Sequence, residues 1–77
     1  SSKQVMDLAN EAKINHTGLQ SFSLNRAVVA DITQNKQDTV LMAYAKFRQK
    51  PNDQEIKRFQ EWLKIRTKAD TVSLIIQ

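Results

Sequence analysis

The chain has no cysteine, one glycine, one proline and one histidine among its 77 residues. Without cysteine, neither a disulfide nor a thiolate metal site stabilises the fold, which fits a reducing compartment. So little glycine and proline leaves few positions for the tight turns of a small all-β domain, so helices are expected. A single glycine also argues against a glycine-rich phosphate loop. The one histidine, His16, has no nucleophile, carboxylate pair or second ligand near it in sequence. It is expected as a surface residue rather than a catalytic base or zinc ligand. The acidic residues are spread out, and Asp38, Asp53, Glu55 and Asp70 sit where helix capping explains them. No enzyme activity, catalytic residue, cofactor or metal is expected. No apolar run approaches the length of a membrane span and no signal peptide is read, so a cytoplasmic location is expected.

What is present is a folding chain with an uneven charge. Hydrophobic residues make up 40% of it, more than disordered chains carry. At this length one domain, residues 1–77, is expected, with a core small enough that a homodimer partner would help it. The net charge is +4. Residues 1–43 carry four basic and four acidic groups, whereas residues 44–68 carry eight basic against three acidic. The same stretch holds the only Trp, Tyr and Pro. It is therefore both a candidate core anchor and the candidate surface for a polyanion, nucleic acid before an acidic protein or membrane surface.

Helical spacing can be followed along most of the chain. Val5, Leu8, Ala9 and Ala12 form one stripe over residues 2–13. The run 14–18 then breaks it, with Asn15 and Gly18 suited to a left-handed turn. Leu24, Ala27, Val28 and Ile32 predict a second helix over 19–34, closed by residues 34–36. Asp38 as a cap, then Val40, Ala43, Tyr44 and Phe47, predict a third helix that stops by Lys50, before Pro51. Asn52 followed by Glu55 is a capping box that starts a fourth helix. For residues 70–77 both a capped helix and a strand fit; with no other strand to pair with, helix is preferred. The fold class expected is all-α, a compact bundle of four to five short helices.

On a helical wheel of residues 52–67, Ile56, Phe59, Trp62 and Leu63 share one face. Lys57, Lys64 and Lys68 lie opposite with Glu61, and Arg58 flanks them. Arg66 falls on the apolar side near Trp62, placed to stack on the indole or reach the helix end, or else to reach a phosphate or a partner subunit. Lys46 and Lys50, one turn apart on the third helix, would extend the basic surface. Thr67, Thr71 or Ser73 would supply polar contacts to base edges. The candidate nucleic-acid-binding set is Lys46, Lys50, Lys57, Arg58, Lys64, Arg66, Lys68 and Thr71. Trp62 is expected in the core or a subunit interface rather than as a base-stacking platform.

Two stretches resemble helix-turn-helix DNA-binding domains. In residues 5–22, Ala9, Ala12, Ile14, Asn15, Leu19 and Phe22 match the motif's small and apolar positions, while Lys13 stands where glycine is usual. In residues 55–77, DTVSLII resembles a recognition helix, and the same segment is similar to the helical core-binding domain of tyrosine recombinases. Residues 46–63 also resemble the helix–Pro-x-Asp–helix hairpin of type III secretion needle subunits. The helix-turn-helix and recombinase resemblances imply DNA binding in a bacterial or phage setting, by phosphate contacts that weaken with salt, whereas the needle-subunit resemblance points elsewhere. The alternative expectation is a helical protein-interaction module: a secretion component, chaperone or immunity-type protein. There the Ile56/Phe59/Trp62/Leu63 face or the VSLII tail would dock onto a partner.

Overall fold

A computed structural model describes residues 2–77. Two helices and three strands follow one another as α1 (Ser2–Asn15), β1 (Leu19–Asp31), β2 (Lys36–Phe47), α2 (Asp53–Thr67) and β3 (Val72–Ile76). The strands form one sheet in the order β1-β2-β3. β1 and β2 are an antiparallel hairpin, and β3 lies parallel to β2 after the α2 crossover. The expected all-α bundle is therefore overturned: this is an α/β fold with a mixed sheet.

The corrections share one cause. In β2 the buried residues are Leu41, Ala43, Ala45 and Phe47, a strict period of two. Val40, Ala43, Tyr44 and Phe47 also fit helical spacing, so the segment satisfies both periods, and its two alanines have no branching to favour a strand. The second expected helix is β1 for the same reason: Phe22 and Leu24 pack on the core, whereas Val28 and Ile32 of the supposed stripe are exposed. With β1 and β2 read as helices, residues 72–76 lacked a partner. In the structure Val72 to Ile76 pair with Leu41 to Ala45, and the segment is a strand. Neither stretch resembling a helix-turn-helix contains two helices; each is one helix followed by a strand.

Turn chemistry differs from expectation too. No glycine has positive φ, and Gly18 needs none. The left-handed positions are Asn35, which closes the hairpin turn, and Lys68, which ends α2. Asp31 organises the hairpin turn, its Oδ1 accepting from Thr33 Oγ1 at 2.6 Å and from the Gln34 amide at 3.0 Å. The Thr33 hydroxyl first, then the Gln34 amide, hold the Asp31 carboxyl below its ordinary range. Asp38 caps no helix; it lies in β2 and accepts from the Thr39 amide.

The two helices stand as expected, apart from their exact ends. α2 begins where the capping signal places it, Asn52 Oδ1 accepting from the Glu55 amide at 2.8 Å. Both helices pack on one face of the sheet, around a cluster of Leu8, Ala12, Leu19, Leu41, Ala43, Ala45, Phe47, Phe59, Leu63 and Val72. Ala43 and Ala45 on the central strand are small, and Phe59 and Leu63 of α2 reach full burial in the same cluster. Phe59 is the hub, with the rings of His16, Phe22, Phe47 and Trp62 all within 6.1 Å of its own.

Candidate functional site

The predicted basic set does not form one surface. Lys46 lies on β2, between the buried Ala45 and Phe47, so it points to the sheet face away from the helices. Lys50 is exposed in the loop before α2 rather than one helical turn from Lys46. Thr71 precedes β3 and is exposed, its carbonyl accepting the Leu41 amide at 3.0 Å. Thr67 turns its hydroxyl back to the Leu63 carbonyl at 2.6 Å, and half-buried Ser73 pairs with Met42 within the sheet. Neither is arranged as a reader of base edges.

Arg66 is spoken for. Its Nε and Nη2 grip the two oxygens of Glu11 on α1 at 3.1 and 2.5 Å. The fork-on-carboxylate geometry joins the two helices and explains why an arginine sits on that side of α2. Its hydrogen bonds pull the Glu11 carboxyl below its ordinary value and push the Arg66 guanidinium up. What remains of the set on α2 is a ridge of Lys57, Lys64 and Lys68, plus Arg58 on the other side of Glu61. Among the described residues none of these four has a hydrogen-bond or ion-pair partner.

Arg58 belongs to a second place, a cleft of about 620 Å³ between the C-terminal turn of α1 and the start of α2. Ala12, Asn15, His16, Asn52, Gln54, Glu55, Arg58 and Trp62 line it. His16 is not the surface residue expected. Its side chain is 11% exposed, its ring stacks on Phe59 at 4.8 Å, and its Nδ1 donates to Glu55 Oε2 at 2.9 Å. An ionised carboxylate only accepts, so the proton of that bond belongs to Nδ1. The bond also corrects the capping box: Asn52 caps the helix, but the Glu55 side chain is turned to His16. The pair spans 39 positions of sequence, and no local signal announces it.

A third feature has no counterpart in the expected bundle. β3 covers β2 only from Leu41 to Ala45, while the β1–β2 ladder continues for five further pairs, from Ala27↔Val40 to Asp31↔Lys36. This arm has no third strand and no helix beneath its tip. Val28 is 66% exposed, Val29 46% and Ile32 91%. β1 is an edge strand along all 13 of its residues. Meanwhile the helical docking surface expected of an interaction module is used up internally. Phe59 and Leu63 are fully buried, Ile56 and Trp62 are half-buried, and the VSLII tail is β3.

Among the described residues no helix is long and apolar enough to cross a membrane. No group of three or more acidic, histidine or cysteine side chains there could hold a metal ion. No curated protein and no solved structure matches the chain. A family model does: over residues 4–77 the sequence matches a domain of unknown function, DUF8492, and the chain belongs to that family.

Proposed function

We propose that this domain is a self-associating protein module that joins a second copy of itself along β1 and the projecting arm. The arm carries the reading. Natural sheets blunt exposed edges with proline, inward charge, short strands or strong bulges. β1 is long, has no proline, carries only Arg26 and Asp31 as charges, and has its one irregularity at the far end, between Leu19 and Ser21. A two-stranded ribbon exposed on both sides is marginally stable alone, so a partner strand stabilises the arm as well as the pair.

Charge favours a second copy over other partners. The arm and its base carry Arg26 and Lys36 against Asp31 and Asp38, a balanced set within a chain of +4. Two copies therefore meet here without the repulsion they face elsewhere on their surfaces. An antiparallel β1–β1 contact is isologous, the commonest closed symmetry, and gives a continuous six-stranded sheet. Sedimentation across a wide concentration range tests this. The expected result is a monomer–dimer equilibrium that Val28→Lys with Val29→Lys abolishes while circular dichroism stays unchanged. A wild type monomeric at millimolar concentration, or an undiminished dimer in the variant, would overturn it.

A second reading rests on a separate observation: Lys57 and half-buried Lys64 on one side of α2, and Lys68 just past its end, have no partner among the described residues. They suit phosphate contacts of a nucleic acid without sequence reading. Labelled duplex and single-stranded DNA titrated at low and high salt separates the two. Binding that weakens steeply with salt and with Lys57→Ala plus Lys64→Ala supports the ridge, and no binding at low salt removes it.

A further inference from the structure

The cleft beside His16 takes no part in either reading above. Its volume lies in the range of small-molecule sites, and its lining brings four chemistries together. Arg58 contributes five donors in a planar fork, none engaged by another described residue. Trp62 is half-buried, with its indole tilted against the Phe59 ring at 6.1 Å, and it lines the cleft. Asn15 and Gln54 add amides that both donate and accept. His16 and Glu55 form a closed pair.

The last of these decides what Arg58 is free to do. Glu55 and Arg58 are three positions apart on a helix, a spacing at which a carboxylate and a guanidinium readily pair. Here they do not: Glu55 accepts from His16 instead. The imidazole thus engages one of the two carboxylates three positions from Arg58, and the other, Glu61, makes no bond to it either. A guanidinium that faces a cleft beside an aromatic ring matches a carboxylate or phosphate held in two hydrogen bonds. The indole next to it favours a flat ring over an aliphatic chain.

We infer that this cleft binds a small planar molecule carrying one anionic group. The ring lies against Trp62, the carboxylate or phosphate on the Arg58 fork, and the Asn15 and Gln54 amides meet polar atoms on the ring's edge. His16 is a positioning residue that keeps Glu55 away from Arg58.

Trp62 is the only tryptophan, so its fluorescence reports the cleft directly. The probes are aromatic carboxylates and phosphates, indole-3-carboxylate and adenosine monophosphate first, with indole, adenosine and inorganic phosphate as half-molecules. The expected result is saturable quenching with amide NMR shifts at Asn15, Gln54 and Arg58, at least about tenfold tighter for whole probes than for either half. Arg58→Gln should weaken binding by about the same factor, while Lys57→Gln, one position away on the ridge, should not. Val28→Lys with Val29→Lys should leave binding intact, which keeps this result separate from self-association. No saturation with any aromatic carboxylate or phosphate overturns the inference. So does equal weakening by Lys57→Gln and Arg58→Gln, which would reduce the effect to general charge.

Discussion

The two halves of the β1–β2 ladder are made by the same strands, yet they live in different surroundings. From Leu41 to Phe47 the ladder lies under both helices and, as far as Ala45, beside β3, and Ala43 and Ala45 are almost wholly buried. From Lys36 to Val40 and across to Ala27–Asp31 it has neither cover, and residues as apolar as Val28 and Ile32 face solvent. Hydrophobicity does not by itself decide burial here, since Val28 and Val29 are outside while Ala43 and Ala45 are inside. What separates them is where β3 starts and where α1 and α2 lie on the sheet. Burial follows neighbours, and an arm without neighbours calls for one from outside.

The sharpest way to break this contrast is to remove its hub. Phe59→Ala should cost about 3–5 kcal/mol, a large part of a typical domain's stability, because it empties a fully enclosed site. Ile32→Ala on the arm should change the stability of the monomer by no more than about 0.5 kcal/mol. Urea denaturation of both variants checks the pair, and comparable losses would mean the arm is buried in solution.

Enlarging a side chain probes the same contrast from the other direction. Ala43→Leu should destabilise by about 1–3 kcal/mol, since Ala43 is fully buried within the core cluster. Ala30→Leu, on the exposed arm, should be close to neutral in the monomer. Thermal melts of the two should therefore separate by several degrees, and matching melts would contradict the packing described.

The smallest effect is expected where the helices are joined by charge rather than packing. Arg66 holds the Glu11 carboxyl below its ordinary value of 4.5 in the folded state. A depressed folded pKa contributes stability above the unfolded value and loses it as pH falls through the folded one. Acid denaturation below about pH 4.5 should therefore be steeper in the wild type than in Arg66→Gln. Both groups are exposed, so added salt should shrink the difference. Identical acid curves would mean that the pair does not form in solution.

The amount legible in the sequence varied with how local its cause was. The start of α2 was readable because Asn52, Glu55 and Pro51 lie within five positions and act on the backbone beside them. The stripe of α1 was readable because Leu8 and Ala12 repeat at one period only. β2 was not, because residues 40–47 satisfy two periods at once, and the choice depended on what lay above and beside them. β3 was lost as a consequence, since a strand is recognised through its partner. The seven basic residues of the expected binding set are charges by sequence alone, but they do not gather into one surface. Lys46 sits on the far side of the sheet, and Arg66 is consumed by an acid 55 positions away. His16 looked idle in sequence, because Glu55 and Phe59, which hold it, arrive only when α2 folds back against the end of α1.

By itself, then, the sequence determined the helix at Asp53–Thr67 and its cap, the helix at its beginning, the basic bias of its second half and the lack of thiol chemistry. Each of these is a property of neighbours in the chain or of simple composition. Only the tertiary structure decided that the middle of the chain is a hairpin, that its tip stands uncovered, and that Arg58 faces a cleft unpaired with any described acid. Those outcomes depend on contacts up to 28 positions apart in the hairpin, 31 between β2 and β3 and 39 between His16 and Glu55, where periodicity carries no information and only packing chooses.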